Sequence, residues 1–454
     1  MDPQQPSLHA DPPAQSSRDS LLTWPVISWG LWDWGSAAFN AVVTTFVFSV
    51  YLTSGAFGEE ARTSQALSIG MAAAGVVIAL LAPVTGQRSD RSGKPRRMLG
   101  IFTTIVVVLT ACLFFIQPDP DYLWAGIVIL AVANIFFSFC DVNYNGLLNS
   151  VSTPENRGRV SGIGWGMGYL GGIVLLLIVF LGFINPEVTW LGIPNEDSMG
   201  IRLSMLVAAA WFGIFALPLF LSNTHKDADR TVAQPRESFI ASYRRLWHTL
   251  TSLFRSNPQV VWFLLAAAIY RDGLAGVFQY GGVIAQGTFG FSSGDVILFA
   301  IASNVVAGIS TIIAGTLDDT IGPKKVIVGS LWLLILSSLL VFLFHDAGSF
   351  VFWTLGLVLS AAVGPAQSAS RSYLARMIPA GREGEIFGLY ATTGRAVSFL
   401  APLMFALSIG IGRWVLPAGA NAQYWGILGI AAVLIAGLIL MRKVTAQADT
   451  MHLD

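Results

Sequence analysis

Long apolar runs alternate with short polar breaks along the whole chain. Twelve such runs fall at about 25–52, 64–86, 98–117, 122–149, 160–184, 202–222, 258–287, 294–316, 326–345, 349–378, 385–411 and 422–441. A helix of about 20 apolar residues crosses a bilayer, and only helices and closed barrels satisfy their own backbone there. These runs are too long for barrel strands. The pattern predicts an all-α polytopic membrane protein with 12 transmembrane helices in two pseudo-symmetric six-helix bundles. The expected division is a disordered tail at 1–20, a first bundle at 21–222, a cytoplasmic linker at 223–257, a second bundle at 258–443 and a tail at 444–454.

Composition agrees. The 454 residues are 54% hydrophobic and 11% charged, against about 25% charged in soluble domains. Net charge is zero, which implies no nucleic acid partner. Cys112 and Cys140 both fall inside apolar runs and form neither a disulfide framework nor a metal spacing. The first 20 residues lack a basic n-region and an apolar h-region, so the first span itself is expected to direct insertion.

Charge distribution sets the orientation. With the N-terminus inside, 19 of the 26 lysines and arginines fall in inner loops and at the C-terminal end. Both termini are therefore expected in the cytoplasm, the protein spanning the plasma membrane. Within the linker, Phe239, Tyr243, Leu246, Trp247, Leu250, Leu253 and Phe254 recur at helical spacing beside Arg244, Arg245, His248 and Arg255. That pattern predicts an amphipathic helix on the inner leaflet, making the lipid bilayer itself a partner.

One charged turn occurs twice. "GQRSDRSGKPRR" opens at Gly86 and "GTLDDTIGPKK" at Gly315. Gly86, Asp90, Gly93 and Arg96 map onto Gly315, Asp319, Gly322 and Lys325 at one constant offset of 229 residues. The chain is thus an internal duplication, with the turn between the second and third span of each half. Repeats of this kind build transporters that hold substrate at the repeat interface. Asp90 and Asp319, at helix ends, can accept hydrogen bonds and pair with a cation on a neighbouring helix, with Arg91 and Lys325 beside them. They are expected to latch the two bundles at the cytoplasmic side.

The paired turn resembles the signature loop of the major facilitator superfamily. Residues 27–441 resemble one branch, the vacuolar amino-acid effluxer family and its bacterial relatives. The resemblance is carried by "WGLWDWGSAAFN", "DVNYNGLLNSVSTPENRGRVSGIGWGMGYLGG", "YRDGLAGVF" and "GREGEIFGLYATTGRAVSFLAPL". It implies a secondary transporter alternating access between two bundles, with a cavity lined by spans one, four, seven and ten. It also implies a small-molecule substrate, an amino acid or similar polar metabolite.

Polar positions mark the same four spans independently. Asp33, Ser36, Asn40 and Thr44 share one helical face; Asn134, Ser138, Asp141 and Asn145 share another. Asp272, Gln279 and Gln286 recur every seven residues, and span ten carries Ser360, Gln367, Ser370 and Arg371. An ionised group at mid-bilayer costs roughly 2.5–3.5 kcal/mol on insertion scales, so the Asp and Arg positions are read as functional. "DWGSAAFN" and "DGLAGVFQ" place Asp33 and Asp272 alike, each with an amide seven residues on. Arg271 and Arg395 can bind a substrate carboxylate or neutralise Asp272. Asp272 is the first choice for the coupling carboxylate, ahead of Asp33 and Asp141. No histidine lies mid-span, so proton coupling would use carboxylates, and Na⁺ remains open as the alternative ion. Gly164, Gly168 and Gly172 give span five a face without side chains, for close helix approach. The antiporter motif of the superfamily would have Pro where Tyr169 stands.

No catalytic constellation, metal-ligand cluster or nucleotide loop is present, which excludes a membrane enzyme and ATP-driven transport as first readings. The protein is expected to need no cofactor beyond a coupling ion and to be a monomer. A drug or sugar transporter of the same fold, and a non-transporting receptor or scramblase, remain open at this point.

Overall fold

The computed structural model describes residues 21–58, 60–184, 190, 192, 196–221, 244, 251–255, 257–291, 293–378, 381–417 and 420–445. Both terminal tails and most of the linker, including most of its expected amphipathic helix, lie outside the described residues. So do the side chains of Asp90 and Gln286.

The described chain is helical and contains no strand. In the first half, α1 is Trp24–Leu52, α2 Glu60–Ser92, α3 Pro95–Phe115, α4 Pro120–Val151, α5 Arg157–Ile184 and α6 Glu196–Leu221. In the second, α7 is Pro258–Gly287, α8 Ser293–Ile321, α9 Pro323–Leu343, α10 Ser349–Met377, α11 Glu383–Val415 and α12 Gln423–Met441. Among the described residues, 11 helices are long and apolar enough to cross a membrane; α2 carries a shorter apolar stretch, Ile69–Ala82.

Departures from a regular α-helix in α1 and α11 shape the site, and α5 also ends in a π-helical turn at Phe180–Ile184. Over Ala38–Phe46, α1 widens into a π-helix, an uncommon form that often marks functional sites. The predicted span 385–411 is two pieces, Glu383–Ala396 and Leu400–Val415. Periodicity continues across this break, which is why the apolar pattern reads as one run.

The duplicated turn has one backbone logic in both copies. Gly93 and Gly322 take φ of 64° and 90°, the left-handed region that closes a helix at low cost only for glycine. Pro95 and Pro323 then occupy the first turns of α3 and α9, where a missing N–H is harmless.

The halves meet chiefly through α5 against α8 and α2 against α11, with α4 on α11 and α5 on α10. Glycines permit these approaches. A Cβ on Gly162 would lie 2.7 Å from Thr311 O, and one on Gly315 2.8 Å from Gly158 O. Gly86, the first glycine of the other turn, abuts the Gly384 backbone at the start of α11. Each turn therefore packs its leading glycine on the N-terminus of the fifth helix of the opposite half.

Candidate functional site

The end of the bundle that bears the charged turns is tied across the halves. Asp319, in the last turn of α8, accepts the backbone N–H of Gly158 at 2.7 Å and of Arg159 at 2.9 Å. A carboxylate here complements the N-terminus of α5, where backbone donors lack intrahelical partners. Arg159 Nε adds a third bond at 2.9 Å, and Arg376 Nη2 of α10 reaches both Asp318 and Asp319 at 3.0 Å. Asp318 is buried, accepts from Ser372, and faces Gly158 so closely that a Cβ there would collide with it. In the first-half copy, Gly93 and the helical backbone through Asp90 and Arg91 are described, whereas the Asp90 side chain is not. Lys325 lies in the first turn of α9.

One layer deeper, a second cross-half contact forms around Arg371 of α10. Its Nε donates to Ser161 Oγ at 3.0 Å and its Nη2 to Ser161 O at 2.6 Å. Nη1 donates to Asn145 Oδ1 at 3.3 Å and stands 3.7 Å from Asp33 Oδ2. The guanidinium carbon lies 4.8 Å from the Trp29 ring, 5.7 Å from Tyr144 and 5.5 Å from Trp165. Trp29 and Tyr144 stack with centroids 4.5 Å apart, and each hydrogen-bonds the other's backbone carbonyl at 3.2 Å. Gly164 lets this assembly close, since a Cβ there would sit 2.5 Å from Trp29 and 2.9 Å from Arg371. A second-half cation is thus enclosed by first-half rings, which attract it through their faces.

Above this layer lies a cavity of about 280 Å³ between α1, α5 and Asn304 of α8. Asp33 and Ser36 line it, with Asn40 and Thr45 from the π-helical stretch. Trp165, Tyr169 and Phe46 give it aromatic walls. Gly168 and Gly172 leave room for α1: a Cβ at 168 would be 3.3 Å from Asp33 Oδ1.

The structure therefore gathers Asp33, Asn145 and Arg371 into one cluster and sets Asn40 in the cavity beside them. Asp141 is half-buried on α4 and interacts electrostatically with Asp33, Arg271, Arg371 and Arg395. Gln367 is half-buried on α10 and Gln279 exposed on α7; neither lines this cavity. Arg271 lies over the Tyr390 ring at 4.0 Å. Arg395 is exposed, just before the break in α11. Asp272 is buried and accepts the backbone N–H of Ala401 at 2.6 Å, capping the second piece of α11. Among the described residues its contact is thus to a helix end rather than to either arginine. Sequence reasoning did not single out Ser161 or Asp318, nor the second glycine face of α5, Gly158, Gly162 and Gly166. The four-residue spacing of that face was available as a signal.

Two six-helix halves, a cavity walled mainly by α1 and α5 with Asn304 of α8, and cross-half ion pairs at one end fit a multi-pass transporter of the major facilitator class. Among solved structures, the major facilitator proton:xylose symporter XylE, bound to 6-bromo-6-deoxy-D-glucose, superposes with a TM-score of 0.70. It covers 93% of this chain and 96% of that one; at 13% identity the likeness is one of fold alone. The chain belongs to the family described as vacuole effluxer Atg22 like, whose model matches residues 55–410. A Bacillus subtilis protein described as the uncharacterized MFS-type transporter YxiO is 27% identical over 433 residues, 93% of this chain and 95% of its own length. Autophagy-related protein 22 of Yarrowia lipolytica is 24% identical over 278 residues, 55% of this chain and 45% of that protein. Family and fold are those of transporters rather than enzymes.

Proposed function

We propose that the protein is a secondary active transporter that moves a small polar metabolite, an amino acid or similar, across the bacterial cytoplasmic membrane by alternating access. Both termini are cytoplasmic in this reading. The observation that carries it is the pairing of a cavity that holds Asp33 with a seal: Asp319 closes α5 onto α8 at one end while the cavity lies above Arg371. Such cross-half bonds must break for the cavity to reach the sealed side. A proton or Na⁺ is the coupling ion, with Asp33, Asp141 and Asp272 as the carboxylates available to carry it.

Counterflow of radiolabelled amino acids in proteoliposomes tests the reading, with sugars and drugs as competitors. Saturable exchange of an amino acid, slowed in Asp319→Asn, supports it. Exchange of a sugar or drug instead reassigns the substrate. Ligand binding without flux of any solute identifies a receptor on the same fold and overturns transport.

A further inference from the structure

The cavity has an unbalanced charge inventory. Among the described residues that line it, Asp33 is the one ionisable acid and no cation is present. Arg371 lies beneath rather than in it: its side chain is 5% exposed, whereas that of Asp33 is 19% exposed. The pair is long, at 3.7 Å against about 2.7–2.9 Å for a good charge-assisted bond. The reason is geometric. Arg371 is already held by Ser161, Asn145 and three rings, so it is anchored short of Asp33. Ser36 Oγ reaches Asp33 Oδ1 only at 3.4 Å, and the Tyr144 hydroxyl is the carboxylate's one further side-chain partner among the described residues. A carboxylate in this position retains acceptor capacity towards the cavity.

The rest of the lining fits the same ligand chemistry. Trp165 and Tyr169 stand on one wall with Asp33, their ring centroids 6.2 Å apart; Trp165 already attracts one cation, Arg371, at 5.5 Å, and Tyr169 stacks on Phe278. Asn304 donates its amide nitrogen to Ala300 O at 2.8 Å, and its amide oxygen remains an acceptor. Ala37, Ala41, Ile173 and Leu176 complete an apolar side. The volume, about 280 Å³, lies just below the range of about 300–1,000 Å³ for drug-sized ligands. Arg271 and Arg395, the other cations weighed for a ligand carboxylate, line no part of it.

We infer that this cavity recognises its ligand by a protonated amine seated on Asp33 between the carboxylate and the Trp165 and Tyr169 rings. The ligand's amine is the required group and its carboxylate is dispensable. The substrate class is a small amine with an apolar body, of which an amino acid is one member. This deepens the transporter reading and rests on its use of the same cavity. An ammonium at Asp33 also replaces Arg371 as the counter-charge, so binding loosens the α1 to α10 contact that joins the halves.

The test compares matched probes on purified wild-type protein by thermal shift and intrinsic tryptophan fluorescence. The amines are L-leucine, L-leucinamide, L-phenylalaninamide and tyramine; the controls are their N-acetyl derivatives. At least one free amine should bind, with its N-acetyl partner weakened at least tenfold and the carboxylate-free amides retained. Asp33→Asn should abolish the response and Asp33→Glu restore part of it. Because the acetylation comparison needs no variant, a poorly folding Asp33→Asn does not rescue or remove the inference. Equal binding of N-acetyl-leucine and leucine overturns it, as does absence of any response to the four amines. The two readings fail separately: amine binding through Asp33 without flux ends the transporter reading alone, and leucine flux untouched by Asp33→Asn ends the amine site alone.

Discussion

The first helix of each half carries an aspartate seven residues before an amide, Asp33 in α1 and Asp272 in α7. Around Asp33 the cation comes from the opposite half: Arg371 of α10 stands against it, while Ser36 and Tyr144 of its own half complete its surroundings. Around Asp272 the contact comes from its own half, where the carboxylate receives the Ala401 N–H at the start of the second piece of α11. The difference follows from what each partner helix lacks. In α11 the break at residues 397–399 leaves backbone donors without acceptors, and a carboxylate satisfies them. Asp33 instead meets side chains, Arg371 across the halves and Ser36 and Tyr144 within its own. Duplicated sequence therefore supplies equivalent positions, and local backbone geometry decides which becomes a junction between halves and which a cap within one.

The comparison makes a graded set of expectations. Asp319 should show the largest effect, because its removal strands two N–H groups of α5 and takes a carboxylate partner from both Arg159 and Arg376. Breaking a buried pair costs about 3–5 kcal/mol. Asp319→Ala should therefore lower melting in detergent sharply and slow solute exchange; unchanged melting would show that the seal between halves does not rest there. Arg371→Ala comes next, leaving Asp33 in the cavity wall without a counter-charge. Arg371→Lys keeps the charge but loses the planar fork, so it should recover only part of the stability. Full recovery would mean that the ring faces and charge suffice without the Ser161 and Asn145 bonds.

The within-half carboxylate should respond differently. Asp272→Ala removes a cap, an effect of about 0.5–2 kcal/mol, whereas Asn keeps an acceptor and should melt near wild type. If Asp272→Asn instead melts normally yet loses pH-gradient-driven uptake, the residue carries coupling and the contrast with Asp33 collapses. A loss of similar size is expected at the turns. Gly322→Ala and Gly93→Ala each place a Cβ in a left-handed residue, at about 1–2 kcal/mol. Equal losses at both would confirm that the two copies remain equivalent at the backbone; a loss at one alone would show that the repeat has diverged there as well.

Much of the architecture was legible because membrane helices are written as composition and length. The offset of 229 residues gave the repeat, and the glycines of that turn proved to have the positive φ that explains their presence. The polar faces pointed to Asp33, Asn145 and Arg371, which do converge. What the sequence hid were contacts without a local signature. Nothing near Arg371 says that rings from α1, α4 and α5 enclose it, since Trp29, Tyr144 and Trp165 look like ordinary apolar positions of their own helices. The capping of α11 by Asp272 was equally invisible, because the break interrupts hydrogen bonds but not hydrophobicity. The periodicity of a face records which side of a helix is polar and is silent about which helix answers it.

The wide turns of α1 bear on how the chain can change in length. Within Ala38–Phe46, the Asn40 carbonyl accepts the hydroxyls of Thr44 at 2.8 Å and Thr45 at 2.7 Å, and Ser49 reaches back to Thr44 O at 2.8 Å. Side chains thus hold open a stretch that regular winding would close. A chain one residue shorter here could wind on as an ordinary α-helix and leave Asp33 where it is. The residues beyond would then keep their places, because a π-helical stretch takes up an extra residue without turning the α-helix that follows it. Phe48, Tyr51 and Leu52 are buried and would stay in their sockets. A single-residue deletion in this segment should therefore be tolerated at the far end of the helix and felt at the cavity wall, where Asn40, Thr45 and Phe46 stand.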